Sequence, residues 1–241
     1  MLACRCKQYR VVGVDHKITN KAKLYANWLS AFTGCFAEIM TGLHTHRYEA
    51  IALNSEGLKS RGWDSGLPGD CVVEGAMPLL VGGYNEERAI YSGPAFEPEN
   101  GEEARTVHLG IDIFAPAGTP VFAPLEGQVH SFQDNANPKD YGPTIVLEHA
   151  VTSKLTFYTL YGHLSRESLE GLVVGQTFGT GQQIATLGAP TVNGDWPPHL
   201  HFQIILDTLG KRGDFPGVCK KSERADWLQL CPDPASLLRL G

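Results

Sequence analysis

Trp196-Pro197-Pro198-His199-Leu200-His201-Phe202-Gln203-Ile204, taken with the earlier His108-Leu109-Gly110-Ile111-Asp112, decides how this chain folds and where its chemistry sits. Side chains alternate between the faces of a β-strand, so His199 and His201 share one face while Leu200 and Phe202 take the other. If Val107 to Phe114 is also extended, His108, Gly110 and Asp112 fall on one face, and the middle position carries no side chain. That arrangement leaves room for an ion.

Two histidines and one aspartate suit a borderline-soft divalent metal, zinc first. Three protein ligands leave the fourth tetrahedral position open, as in catalytic rather than structural zinc. A third element, Leu160-Tyr161-Gly162-His163-Leu164-Ser165, follows the β-rich Thr156-Phe157-Tyr158-Thr159. Together these elements resemble the lysostaphin-type (LytM-like) zinc metalloendopeptidases, which cut peptidoglycan peptides. The resemblance runs from about Arg105 to Leu206 and includes Gly118-Thr119-Pro120-Val121, Tyr141-Gly142, Glu148-His149, Val174-Gly175-Gln176 and Gly188 in family order. Gly162 stands where the family more often has alanine, a mild steric departure.

The resemblance implies that His108, Asp112 and His201 are the ligands of one zinc per chain, with His163 and His199 as a catalytic pair that does not ligate it. It also implies hydrolysis of peptide bonds in peptidoglycan, or in similar peptides containing glycine or D-amino acids, by a metal-activated water. Zinc brings the pKa of its water towards neutrality, and histidine, with an ordinary pKa of about 6.5, suits proton transfer and charge stabilisation alike. The family usually has a short Ser/Thr/Gly-rich loop before His-x-His. Here Ala189 to Pro198 contains Asn193, Gly194, Asp195 and Trp196, and is expected to border the substrate groove.

Two other readings are weighed against this one. A catalytically silent LytM-like domain that regulates cell-wall hydrolases usually lacks one or more of the five residues present here. Lipoyl and biotinyl carrier domains share turn patterns such as Val174-Gly175-Gln176, but no lysine stands at a hairpin tip and the histidines go unexplained. By the family's habit, residues 1 to 80 are also a candidate for a segment that holds the enzyme latent.

The remaining composition is that of a turn-rich globular protein: 241 residues, 42% hydrophobic, 27 Gly and 15 Pro. A formal charge of −6 argues against non-specific binding to nucleic acid or anionic membranes. No apolar run is long enough to span a bilayer. Met1-Leu2-Ala3-Cys4-Arg5-Cys6-Lys7 lacks the basic and apolar regions of a secretory signal, so the chain as it stands reads as cytoplasmic, with cell envelope or outside the cell the alternative if its start is truncated or mature. Cysteines at 4, 6, 35, 71, 219 and 231 are too sparse for a disulfide scaffold; Cys219 and Cys231 are either reduced and buried or a bridge in an oxidising compartment. No oligomeric state is legible.

The expected fold is mainly β, an antiparallel folded sheet or sandwich, with an N-terminal segment containing helix. Leu24, Trp28, Leu29, Phe32, Phe36, Ile39 and Met40 predict an amphipathic helix from about Thr19-Asn20 to Gly42, its apolar face a core or docking surface. Thr119 to Val129 predicts a strand, turn, strand unit, and Ala89-Tyr91 a short strand. His44-Thr45-His46 with Cys4-x-Cys6 is a weaker candidate metal site. Glu148 is a candidate to orient a ligand histidine, while His130, His149, Tyr158 and Tyr161 read as structural. The division that follows is an N-terminal partly helical segment over 1–81, a metallopeptidase domain over 82–210, and a C-terminal extension packed on it over 211–241.

Overall fold

The computed structural model describes residues 16–45, 48–63, 67–68, 79–91, 96 and 101–240. Cys4, Cys6, His46 and Cys71 lie outside these residues. The strands are β1 (Tyr48–Ile51), β2 (Leu79–Gly82), β3 (Arg105–His108), β4 (Ile111–Phe114), β5 (Pro120–Phe122), β6 (Gly127–Asn135), β7 (Gly142–Thr152), β8 (Leu155–Gly162), β9 (Thr177–Phe178), β10 (Gln183–Thr186), β11 (His199–Ile205) and β12 (Val218–Lys220). Among the described residues four α-helices accompany them, α1 (His16–Ala31), α2 (Ser55–Ser60), α3 (Arg224–Leu230) and α4 (Ala235–Leu238), with short 3-10 turns at Arg166–Leu169 and Lys221–Glu223. The protein is mainly β, as the alternation of short apolar runs and turn residues predicts.

One eight-stranded sheet in the order β1-β2-β4-β11-β8-β7-β6-β9 carries the architecture. Its pairs are antiparallel except β1 with β2. Two-stranded ribbons β5-β10 and β3-β12 flank it. Central β11 and β4 are buried along their whole length, because both faces of the sheet are covered. Leu200, Phe202 and Ile204 of β11 point into one core with Ile111, Ile113, Leu147 and Tyr161. Each such side chain contributes roughly 1.5–3 kcal/mol by leaving water. Ile205 joins the opposite core with Val107, Leu160, Phe215 and Trp227. The histidines and Gln203 therefore stand on the second face, in line, because the hydrophobes claim the first.

The predicted N-terminal helix ends earlier than its apolar pattern. Thr33 and Gly34, both poor helix formers, come one residue after the end of α1. Phe36, Ile39 and Met40 are still buried, but in an irregular segment tied to the β5 region by Phe122 N–H to Ile39 O (2.9 Å) and Ala37 N–H to Pro124 O (2.9 Å). Tyr25 and Trp28 of α1 pack on Phe157, centroids 5.1 and 5.3 Å away, so the apolar face of the helix is core.

Three further expectations are corrected. Val107 to Phe114 is two strands, β3 paired with β12 and β4 with β11, broken at Leu109-Gly110. Thr119 to Val129 does hold two strands separated by a bend, but they do not pair with each other as a hairpin: β5 pairs with β10, and β6 with β7 and β9. Ala89 and Ile90 form a turn rather than a strand.

Candidate metal centre

Register brings the site together. Antiparallel pairing sets His201 of β11 opposite Asp112 of β4 on one side and Gly162 of β8 on the other. His108 ends β3, and although the chain breaks before Asp112, their donor atoms remain 3.2 Å apart. The space reserved at Gly110 is real: a Cβ there would lie 2.7 Å from His201 Cε1, so the His201 ring occupies the place of the missing side chain.

Hydrogen-bond partners fix which nitrogen of each imidazole carries its proton. His108 Nδ1–H donates to the Gly83 carbonyl at 3.0 Å, leaving a lone pair on Nε2. Gln203 donates its amide N–H to Pro216 O at 3.1 Å, which turns its Oε1 towards His201 and accepts from His201 Nε2–H at 2.9 Å. His201 Nδ1 is then the free lone pair. It sits 3.0 Å from His108 Nε2 and 3.0 Å from Asp112 Oδ1. Three atoms able to ligate a metal thus face one another.

Separations of 3.0–3.2 Å compare with about 3.3 Å between ligands of a tetrahedral ion with bonds of about 2.0–2.1 Å. The residues fit a divalent cation, and theirs is the one cluster of metal-ligating side chains found among the described residues. Burial and the neighbouring Arg88 lower His108 to a pKa of about 4, keeping it neutral. Burial would raise Asp112, but His108 and Arg88 beside it hold the carboxyl well below its usual range. Neutral imidazole and ionised carboxylate are the forms a metal requires.

His163 and His199 stand beside this cradle, ring centroids 4.2 Å apart. His199 Nδ1–H donates to Pro197 O at 2.7 Å, and its ring stacks on Phe114. His163 Nδ1–H donates to Asn193 O at 2.9 Å. Both therefore present Nε2 as a lone pair. Burial pushes His163 well below the ordinary range, helped by His199 and His201, and burial lowers His199 too. His163 also adopts φ 63°, a left-handed backbone that costs a branched or ringed residue of order 1 kcal/mol or more and is met mainly at functional sites.

Three supporting residues carried no assigned role in the sequence reading. Arg88 donates to Asp112 Oδ2, Gln203 orients His201, and Asn193 organises the loop before β11. Asn193 is fully buried, its side chain bonded to Gly188 O, Trp196 O and Trp196 N while its own carbonyl holds His163. Glu148 is not an orienting group: it accepts from Gln128 at 2.9 Å on the exposed side of β7. His149 and His130 bond to Glu126 O and Ser131, in structural settings. His44 lies against Arg239, and Cys219 and Cys231 are free thiols, with Cys231 Sγ accepting from Gln203 at 3.3 Å.

Residues 106–212 match the family model of Peptidase family M23. This stretch is an M23 peptidase domain. His108, Asp112, His163, His199 and His201 all fall within it, whereas Gly83, Arg88, Pro216 and Cys231, which brace them, fall outside. The M23 domain is similar to the peptidoglycan DD-endopeptidase ShyC of Vibrio cholerae, 32% identical over 105 residues, 43% of this chain and 21% of the relative. It is also similar to the DD-carboxypeptidase/endopeptidase Mpg of Neisseria meningitidis, 31% identical over 139 residues, 56% of this chain and 29% of the relative. Among solved structures, the catalytic domain of the antimicrobial peptidase lysostaphin from Staphylococcus simulans is 25% identical, covers 62% of this chain and 92% of that one, and superposes with a TM-score of 0.39. The match thus spans less than a third of either curated relative.

Proposed function

We propose that this chain is a zinc-dependent endopeptidase that hydrolyses peptide bonds in peptidoglycan or in similar peptides containing glycine or D-amino acids. The observation that carries the reading is the convergence of three atoms able to ligate a metal, on His108, Asp112 and His201, beside the imidazoles of His163 and His199. The names of the Vibrio and Neisseria relatives support the substrate class. We assign the peptidase domain to about residues 82–210, with 1–81 and 211–241 as attached segments.

His108 Nε2, His201 Nδ1 and Asp112 Oδ1 would hold the zinc. Bound there, zinc supplies Lewis acidity, acidifying water near neutral pH and polarising a carbonyl. His163 and His199 do the proton work. Each offers an Nε2 lone pair, so one takes the proton from water and passes it to the leaving amine. The other accepts a hydrogen bond from the same water through its Nε2 lone pair and so orients it, while the charge that builds on the carbonyl oxygen would be met by the zinc. The main-chain acceptors of their Nδ1–H groups hold both rings in the required tautomer.

The test is zinc content and release of fragments from purified peptidoglycan, for the wild type, His201→Ala and His163→Ala. About one zinc per chain, lost with hydrolysis in His201→Ala, is expected; His163→Ala should keep its zinc and lose about 10²–10⁴ in rate. Zinc without hydrolysis in the wild type would favour the silent regulatory domain. Wild-type protein that takes up no zinc would overturn the reading.

A further inference from the structure

Arg88 is among the largest completely buried side chains of the molecule, and it lies ahead of the M23 match. Its Nε–H donates to Glu86 Oε2 at 3.0 Å, one terminal nitrogen donates to Tyr91 Oη at 3.0 Å and to Asp112 Oδ2, and the other donates to Gly83 O at 3.1 Å. Space for this guanidinium is built in: a Cβ on Gly82 would lie 2.8 Å from its terminal nitrogen and 3.1 Å from Leu53 Cδ1. The segment is tied along β3 by Arg88 N–H to Thr106 O, His108 N–H to Glu86 O and Asn85 N–H to His108 O, each 2.9 Å. Glu86 is itself fixed, its Oε1 accepting from Leu53 N–H at 2.7 Å.

The two oxygens of Asp112 thus have separate duties. Oδ1 faces His108 and His201, while Oδ2 faces the Arg88 guanidinium. A carboxylate with both oxygens free can grip a metal through both, raising the coordination number and closing the position a substrate needs. A rigid planar donor fork holds one oxygen away in a way that a single ammonium group cannot.

We infer that Arg88 is a positioning residue of the metal centre: by holding Asp112 Oδ2 it limits this ligand to one oxygen and keeps a coordination position open. Arg88 and Gly83, which orients His108, sit within the same short segment. The centre is therefore completed by residues upstream of the M23 match. This inference rests on the metal reading proposed above.

The test uses the full chain, with zinc affinity measured by chelator competition and the visible spectrum of the cobalt(II)-substituted protein recorded. Arg88→Gln should weaken zinc binding about 10–100-fold and reduce the intensity of the cobalt bands, as Asp112 brings in its second oxygen and the coordination number rises. Arg88→Lys, which keeps the charge and should fold even where the glutamine variant does not, should shift both readouts in the same direction by less. Wild-type cobalt bands in either folded variant would overturn the inference, whatever its stability, because a purely structural arginine would leave the coordination unchanged. Wild-type protein that binds neither metal would instead sink the metal reading itself, and the inference with it.

Discussion

Alanine at position 110 should weaken the metal cradle of a protein that still folds. A Cβ built on Gly110 lies 2.7 Å from the Phe202 carbonyl oxygen and 2.7 and 2.8 Å from Cε1 and Nε2 of His201, against 3.4 Å or more for ordinary contact, so about 0.7 Å has to be found. The Phe202 carbonyl belongs to a central strand hydrogen-bonded on both sides, and the imidazole is the softer neighbour. His201 Nδ1 works at 3.0 Å from two other donors, and constellations of this kind tolerate displacements of about 0.5 Å. Zinc affinity is therefore expected to fall about 10–100-fold, and the stability of the metal-free protein by about 1–3 kcal/mol, the usual range for overpacking. Gly83→Ala is the matched control, since its Cβ meets nothing within 4 Å although its carbonyl holds His108. The assay is chelator-competition titration of zinc, with urea unfolding of the chelated proteins alongside. Equal zinc affinity in Gly110→Ala and Gly83→Ala would refute the reasoning.

Two further predictions concern buried polar groups, one in the core away from the centre and one beside it. His149 is buried and its pKa falls from 6.5 to about 4, chiefly through desolvation, so the unfolded chain accepts a proton that the folded protein refuses. The sign follows: its contribution is intact above pH 6.5 and drains away as the pH falls towards 4, by up to about 3 kcal/mol. His149→Gln should flatten the fall in unfolding free energy over that window, and parallel curves for the two proteins would contradict this origin. Asn193→Ala removes three buried hydrogen bonds that shape the loop holding His163 and should cost about 1–3 kcal/mol of stability. Turnover should fall while zinc content holds, and a parallel loss of zinc would count against a role directed at His163.

The convergence of His108, Asp112 and His201 was foreshadowed by His-x-His, whose two rings share a strand face, and by the gap at Gly110, but the expected continuous strand from His108 to Asp112 is broken, and only the family resemblance singled out His201 rather than His199 as a ligand. The supports of these residues were not foreshadowed. Arg88 reaches Asp112 across 24 residues and Pro216 holds Gln203 across 13, contacts that depend on how loops return to the sheet rather than on any period in the chain. The fold class followed from turn-separated apolar runs, whereas partner choice did not. The run from Thr119 to Val129 looks like a hairpin locally, yet β5 pairs with β10 and β6 with β7, and Val121, Val129, Ile145, Leu147, Ile184 and Ala185 of these strands share one core. The apolar period from Leu24 to Met40 marked burial correctly and secondary structure only in part, since it continues through a segment where Thr33-Gly34 cannot sustain helix.

Three of the four imidazoles at the centre lean on carbonyls of the main chain, at Gly83, Asn193 and Pro197, and His201 alone leans on a side chain, Gln203. This divides the routes by which the centre can change. A single substitution at position 203 can retune His201, since the acceptor itself is exchanged. Every amino acid carries a carbonyl, so substitution at 83, 193 or 197 alters those three anchors only by bending the chain. A library of point changes can therefore exchange the acceptor of His201 outright, whereas His108, His163 and His199 move only as far as a substitution such as Asn193→Ala bends the loop that carries the acceptor.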